Sequence, residues 1–217
     1  MQIETTPLTS ALLLTTPGCA HCAALKKILQ KLLSEGILTS LSIIDVAAQP
    51  DVAVRYGVKS VPWFLLGPYA FQGVYPEKDI RTWLTDLRDT AGQSRYFEYA
   101  LQSGELQQVI SMVHKTPEIL SGLLSLATNS ELDIKVRLGI SAVIEEFEGC
   151  QVLTDLIKKM IQLADHPQPR VRADAAHYLS LTHHNAVIPV LKKLTVDEDR
   201  EVRQIAVDAL EEMEAST

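Results

Sequence analysis

The sequence has few of the features that mark secreted, membrane and disulfide-stabilised proteins. It has only three cysteines in 217 residues, too few for the disulfide framework of a small extracellular domain. The opening MQIETTPLTS lacks a basic cluster followed by a long apolar stretch, so it does not read as a secretion signal. Uncharged apolar runs such as FLLGPYAF are too short to span a bilayer. We therefore expect a cytoplasmic location.

An excess of positive charge is also lacking, and the charge balance changes along the chain. Residues 1–90 carry eight Lys or Arg and eight Asp or Glu, whereas residues 91–217 carry twelve and nineteen. The net charge of −7 therefore comes from the second part. Because an acidic surface repels phosphate backbones and anionic lipids, we expect no nucleic acid and no membrane among the partners.

Hydrophobic periodicity in the first part predicts alternating strands and helices. A short buried strand at 11–16 leads into a helix that ends at Gly36 and has one apolar face. Further strands are predicted at 38–46, in PWFLLG and in AFQGVY, and further helices at 51–58 and 76–90. The order β-α-β-α-β-β-α predicts an α/β fold, a four-stranded mixed sheet with helices on both faces.

Two of the three cysteines stand where the first strand gives way to its helix, in Cys19-Ala20-His21-Cys22. This spacing is found in redox-active dithiols and in half-sites for metal ions. A structural disulfide is not expected in a reducing compartment, and no second Cys/His pair at ligand spacing appears nearby. The pattern favours a redox dithiol, with a metal half-site and two inert thiols as the alternatives.

Together with two later features, this motif resembles the thioredoxin-fold family. The later features are RYGVKSVPWFLL (55–66), with Val61-Pro62 at the start of a strand, and Gly73 in the last strand. The resemblance implies that the Val61-Pro62 bond is cis and lies against the dithiol. It also implies that the Val61 backbone binds an extended substrate segment by strand-like pairing.

The resemblance also implies roles for the dithiol residues. Cys19 would be the nucleophile, because unpaired N–H groups and the helix dipole stabilise its thiolate. Cys22 would be the buried resolving thiol, and His21, similar to the histidine of disulfide isomerases and periplasmic thiol oxidases, would stabilise the thiolate further. This chemistry needs no cofactor and no metal. The implied partners are a protein disulfide substrate or redox partner, and an electron donor of the thioredoxin-reductase type.

Three positions depart from the family pattern. Leu13 stands where thioredoxins carry a buried acid, and Gly18 stands where they carry a tryptophan before the first cysteine. The segment GVYPEKD lacks the Gly-Gly turn through which glutaredoxins hold glutathione. Proton transfer to Cys22 would need another route, and binding of glutathione is the weaker interpretation.

The second part repeats a helical pattern that opens on Val-Arg. Val136, Val171 and Val202 are 35 and 31 residues apart, and companion helices are predicted at 150–164 and 184–194. The pattern resembles HEAT repeats, which form all-α solenoids that bind proteins. Within it we expect Cys150 to be a small buried residue at a helix start. We expect the arginines to pair with carboxylates or carbonyls in the turns of neighbouring repeats: Arg137, Arg172 and Arg203.

The sequence thus predicts a thioredoxin-like domain over 1–92 and a HEAT-like α-helical repeat domain over 93–217. The predicted function is a thiol–disulfide oxidoreductase that uses Cys19 and Cys22 on a protein partner docked by the repeats. One alternative is a non-catalytic redox-sensing adaptor, and another is a metal-binding protein that adds a partner's ligand to Cys19, His21 and Cys22. The repeats could also act only as a spacer or stabiliser.

Overall fold

The computed structural model describes residues 8–215, which divide into two compact units. One unit comprises the described residues through Gly92 together with His114–Thr116. The other comprises Gln93–Val113 and the described chain from Pro117 onward. Each unit has its own buried core, and they are described separately below.

The first unit is an α/β fold whose elements follow the predicted order. Within residues 8–215 the mixed sheet has four strands in the order β2-β1-β3-β4, with β1 parallel to β2 and antiparallel to β3. The hairpin partner of β3 is β4. The elements are β1 (Ser10–Thr15), α1 (Ala20–Ser34), β2 (Ser40–Asp45), α2 (Pro50–Arg55), β3 (Trp63–Leu66), β4 (Tyr69–Gln72) and α3 (Glu77–Asp86).

Strand β1 lies inside the sheet, with β2 on one side and β3 on the other. Its Leu13 and Leu14 are fully buried. Such burial is expected for a short apolar strand that has a neighbouring strand on each side. Thr15 at its end pairs with Asp45 of β2, and Leu14 pairs with Trp63 at the start of β3. The chain that leaves β1 towards α1 therefore starts at the sheet end where β2 stops and β3 begins.

The second unit consists of helices in the predicted places. Short 3₁₀ turns at Pro117–Ile119 and Asn185–Val187 precede α6 and α10. In the part of the chain that the structure describes, no helix is long and apolar enough to cross a membrane. The helices are α4 (Thr90–Gln102, which begins just before the unit boundary), α5 (Leu106–Lys115, whose last two residues belong to the first unit), α6 (Leu120–Leu126), α7 (Ile134–Glu145), α8 (Gln151–Ala164), α9 (Pro169–Ser180), α10 (Ile188–Leu194) and α11 (Arg200–Ala215).

The repeated residues of this unit are packing residues. The valines of the three Val-Arg pairs are fully buried: Val136, Val171 and Val202. Small residues lie where helices approach closely, as the pattern predicts. A Cβ added to Gly139 of α7 would lie 2.9 Å from Cδ2 of Leu101 in α4, so only glycine fits without a shift of that side chain.

The arginines of the Val-Arg pairs hold turns and neighbouring helices, but not all through the predicted partners. Arg172 makes two hydrogen bonds to Asp197, of 2.8 and 2.7 Å, in the turn of the following repeat. Arg137 pairs with Asp174, which lies in helix α9 and not in a turn. Arg203 donates to the carbonyls of the turn that leads into its own helix. The prediction is therefore correct for Arg172 and wrong in detail for the other two.

Cys150 begins α8 as predicted, but it is exposed and not buried. It is the N-cap residue, with an extended backbone at φ −77° and ψ 148°. An N-cap residue precedes the first helical turn, so its side chain does not belong to the helix face that packs into the core. The apolar pattern of α8 therefore begins only after Cys150.

The two ion pairs predict opposite pH dependences. Hydrogen bonds from Arg172 hold the pKa of Asp197 below its ordinary value. Burial raises the pKa of Asp174 and outweighs the opposing attraction of Arg137. Stability from Asp197 is therefore present above the unfolded pKa of ~3.9 and is lost as pH falls through the lower folded value. Ionised Asp174 costs stability at neutral pH, and protonation relieves this cost as pH falls towards ~3.9.

We accordingly expect Asp197→Asn to cost ~2–3 kcal/mol at pH 7, because it leaves the buried Arg172 charge without its main partner. This cost should shrink as pH falls below ~4. The stability of the unmodified chain relative to the Asp174→Asn variant should instead rise as pH falls from neutral to ~4. Urea unfolding of both variants at several pH values measures the two slopes, and parallel slopes would contradict this assignment.

Candidate redox site

The two cysteines of the motif lie across the first turn of α1 and are joined by a disulfide. Cys19 is the N-cap of the helix, and its Sγ accepts a hydrogen bond of 3.1 Å from the backbone N–H of Cys22. The first turn of α1 contains no acidic residue. A thiolate on Cys19 would therefore have a backbone donor aimed at it and the positive end of the helix dipole beside it.

The two sulfurs differ in their access to solvent. Cys22 is 1% exposed and belongs to the buried face of α1, together with Leu25, Leu29 and Leu32. Cys19 is half-buried, and His21 between them is exposed. An incoming reagent can therefore reach Cys19, whereas Cys22 is enclosed by the core. Cys19 is therefore the sulfur of the pair that an external thiol or disulfide can reach first.

Gly18 has a conformational reason to precede Cys19. Its φ is +76°, in the left-handed region that side-chain-bearing residues rarely adopt. The turn it forms brings the Cys19 N–H to 3.4 Å from the Thr16 carbonyl. The chain thereby passes from the end of β1 into α1 within a few residues, and the departure from the family's tryptophan is part of this turn.

Val61 and Pro62 lie at the same end of the sheet as the dithiol. Their peptide bond is cis, as expected, and β3 begins at the next residue. Because β3 is antiparallel to β1, its start lies beside the end of β1. Gly73, with φ +96°, donates its N–H to the Pro62 carbonyl at 2.9 Å. Gly73 thus anchors the turn that contains the cis Val61-Pro62 bond.

Two charged residues that sequence reasoning missed line a cavity beside Cys19. The cavity, of about 480 Å³, is bounded by the turn before α1, by Lys26 of α1 and by Asp45 at the end of β2. A helical spacing of three places Lys26 on the same face of α1 as Ala23, which also lines the cavity, and parallel pairing with β1 places Asp45 at this sheet end. Both residues can be found in the sequence, but only the folded structure shows that they line the same cavity.

Leu13 stands at the position where thioredoxins carry a buried acid. Leu13 is fully buried between Ile43 and Phe64 of the neighbouring strands. Among residues 8–215, no group of three or more His, Cys, Asp or Glu side chains is placed to hold a metal ion. The site as described therefore consists of a dithiol, an exposed histidine, a cis-proline and one adjoining cavity.

A dithiol at a helix N-terminus, next to a cis-proline at the same end of a mixed sheet, defines the thioredoxin-fold class. Comparison with protein families agrees, since residues 11–85 match the model of the thioredoxin domain and residues 115–211 match HEAT repeats. No curated protein gives a significant match. The chain therefore carries a region similar to thioredoxin domains, followed by a region similar to HEAT repeats. The first indicates a redox function and the second indicates protein interaction.

Gly73 provides a test of how the cis-proline turn is held. Gly73→Ala should cost ~1–2 kcal/mol of stability, because an L-residue resists positive φ. Nothing lies within 4 Å of the added Cβ, so the cost is in the backbone. Because relief of the positive φ shifts the backbone N–H of residue 73 away from the Pro62 carbonyl, reduction of a peptide disulfide should slow, whereas reaction of Cys19 with a small aromatic disulfide should not. Both rates are measured by stopped-flow absorbance.

Gly36→Ala is the matched control for this variant. Gly36 follows α1 with φ +72°, and its added Cβ also meets nothing within 4 Å. It should lose stability in the same way and keep both exchange rates. Equal effects of the two variants on peptide reduction would show that Gly73 does not position the substrate-binding turn.

Proposed function

We propose that the protein is a thiol–disulfide oxidoreductase that acts on a protein disulfide through Cys19 and Cys22. The observation that supports this most is the asymmetry of the pair: an accessible N-cap sulfur with a backbone donor, and a buried sulfur one turn further on. The proposed domains are the thioredoxin-like domain over 1–92 and the HEAT-like domain over 93–217. The proposed location is the cytoplasm.

The reduced protein would act in two exchange steps. The Cys19 thiolate attacks one sulfur of the substrate disulfide, so that a mixed disulfide forms and the other substrate sulfur leaves as a thiolate and takes up a proton. The Cys22 thiol then loses its proton and attacks Cys19 Sγ. The mixed disulfide breaks, the second substrate thiol is released, and two electrons have passed from the dithiol to the substrate. The Cys19–Cys22 disulfide that remains is the form found in the structure.

His21, Val61 and Pro62 would support these steps without exchanging sulfur atoms. His21 lies between the cysteines in sequence and is exposed, so it can stabilise the Cys19 thiolate from the solvent side. The Val61 backbone, at the turn before β3, would pair with an extended substrate segment. A dithiol donor of the thioredoxin-reductase type would return the protein to its reduced form.

The HEAT repeats would dock the protein partner. Helix α7 carries two apolar side chains in solvent one turn apart, Ile134 at 57% and Leu138 at 64% exposure. Exposed apolar neighbours on one helix face are typical of protein-binding surfaces. A redox-sensing adaptor would use the same surface, and turnover separates the two functions: an enzyme reduces many equivalents of disulfide when a reductant is supplied, whereas a sensor reacts once.

The two cysteines are tested by serine variants. Cys22→Ser should form a stable mixed disulfide with a protein substrate, because attack by Cys19 still occurs but its resolution does not. Cys19→Ser should show no exchange. Non-reducing electrophoresis and mass spectrometry of the trapped species measure both outcomes. A mixed disulfide formed by the Cys19→Ser variant would reverse the roles, and absence of exchange by the unmodified chain would disprove the proposal.

Docking is tested in the full chain with the Cys22→Ser trap. Replacing both Ile134 and Leu138 by Gln should remove most of the selectively captured proteins, because the apolar contact area on α7 is lost. The rate with a generic peptide disulfide should stay unchanged. Val196→Gln is the control, because Val196 is 80% exposed in the turn before α11 and does not belong to α7. Identical captured sets from all three chains would leave the repeats as a spacer.

A further inference from the structure

The cavity beside Cys19 lies on the side of the dithiol away from the cis-proline. It is bounded by Asp45 and Thr15, which pair across β2 and β1, and by the face of α1 that carries Ala23 and Lys26. The cis-proline belongs to the β3 side of β1. Cys19 thus has a backbone-pairing turn on one flank and a cavity of about 480 Å³ on the other.

We infer that this cavity is a substrate subsite that receives an acidic side chain near the reactive cysteine, with Lys26 as the residue that determines this preference. The inference rests on the proposed function, because it assigns the substrate class of the same dithiol. The expected substrates are peptide or protein disulfides whose cysteine has a Glu or Asp within about three residues.

The spacing of the strands sets this distance along the substrate. Neighbouring strands lie ~4.8 Å apart, so the β2 and β3 flanks of β1 are ~10 Å apart. An extended chain advances ~3.3 Å per residue. A substrate that pairs with Val61 and places its disulfide at Cys19 therefore reaches the Asp45 side of the site within about three residues. It needs no separate binding element to do so.

Of the two charged residues around the cavity, Lys26 favours an acidic occupant and Asp45 opposes one. In the described part of the chain, the Lys26 ammonium has no ion-pair partner, whereas Lys31 on the same helix is held by Glu77 at 2.9 Å. Asp45 accepts the Ala47 N–H through Oδ1 at 2.9 Å. Its carboxylate still opposes an acidic occupant, so the preference depends on contact with Lys26. The positive end of α1 adds to the attraction. A larger groove of about 670 Å³ along α3 holds none of the redox residues.

Lys27 provides a matched control for Lys26. The two lysines are adjacent on α1 and both are exposed, so each contributes equally to the net charge near the dithiol. Only Lys26 lines the cavity. A charge reversal at either position changes the long-range field similarly, whereas a local contact with the substrate is lost only with Lys26.

The test uses the reduced full-length protein and three peptide disulfides that carry Glu, Gln or Lys at the positions flanking cysteine. We expect the second-order rate constant for the Glu peptide to exceed that for the Gln peptide by about two- to fivefold at low salt, the scale of a partly exposed ion pair. Lys26→Gln should bring this ratio near one, and Lys26→Glu should invert it. Lys27→Glu should leave most of it, and 0.5 M salt should reduce it in the unmodified chain.

Three other results would contradict one or both proposals. Equal changes of the Glu-to-Gln ratio in Lys26→Glu and Lys27→Glu would overturn the subsite, since only the general field would then act. Exchange with every peptide but no preference would overturn it as well, and would leave the oxidoreductase proposal standing. Absence of exchange with all peptides would disprove the oxidoreductase proposal, and the subsite with it.

Discussion

The hydrogen bond from the Cys22 N–H to Cys19 Sγ is the interaction on which the site depends. It exists because Cys19 is the N-cap of α1, where backbone donors lack a partner inside the helix. Gly18 makes this possible, since its positive φ turns the chain sharply enough for the helix to begin at once. The buried leucines after Cys22 then fix the helix against the sheet. A donor held this rigidly stabilises a thiolate without reorganisation when the disulfide opens.

The order of the sheet gives the dithiol two different flanks. Strand β1 is interior, so the chain that leaves it has β2 on one side and β3 on the other. The β3 side offers a backbone turn around Pro62, which Gly73 anchors by a hydrogen bond. The β2 side offers side-chain charges, from Asp45 and from Lys26 above it. A backbone turn binds many sequences with similar affinity, whereas charged side chains discriminate between them. Under the proposed function, the backbone turn would supply affinity and the charged side chains would supply selectivity.

Features that depend on residues close together in the sequence could be predicted, whereas features that depend on distant residues could not. The strands and helices followed from periodicity, and the cis-proline turn followed from a motif with three parts in register. The cavity could not be predicted, because Lys26 and Asp45 belong to elements that only the parallel pairing of β1 and β2 brings together. Cys150 was wrongly expected to be buried, since helical periodicity does not extend to an N-cap. Arg203 was assigned to a neighbouring turn because sequence spacing does not specify which turn a long side chain reaches.

In the HEAT unit the repeated residues and the variable residues have different tasks. The repeated Val-Arg pair is used within the stack, because the valines are fully buried and Arg172 is satisfied by Asp197 and by turn carbonyls. Such residues have no contacts left for a partner. The position two residues after each valine differs: it is Leu138 in solvent in one repeat, buried Ala173 in the next and Gln204 in the last. An apolar side chain that the stack does not bury, at a position where the other repeats carry alanine or glutamine, has no packing reason for being there. Recognition by this unit is therefore to be sought where a repeat departs from its neighbours, and α7 is such a place.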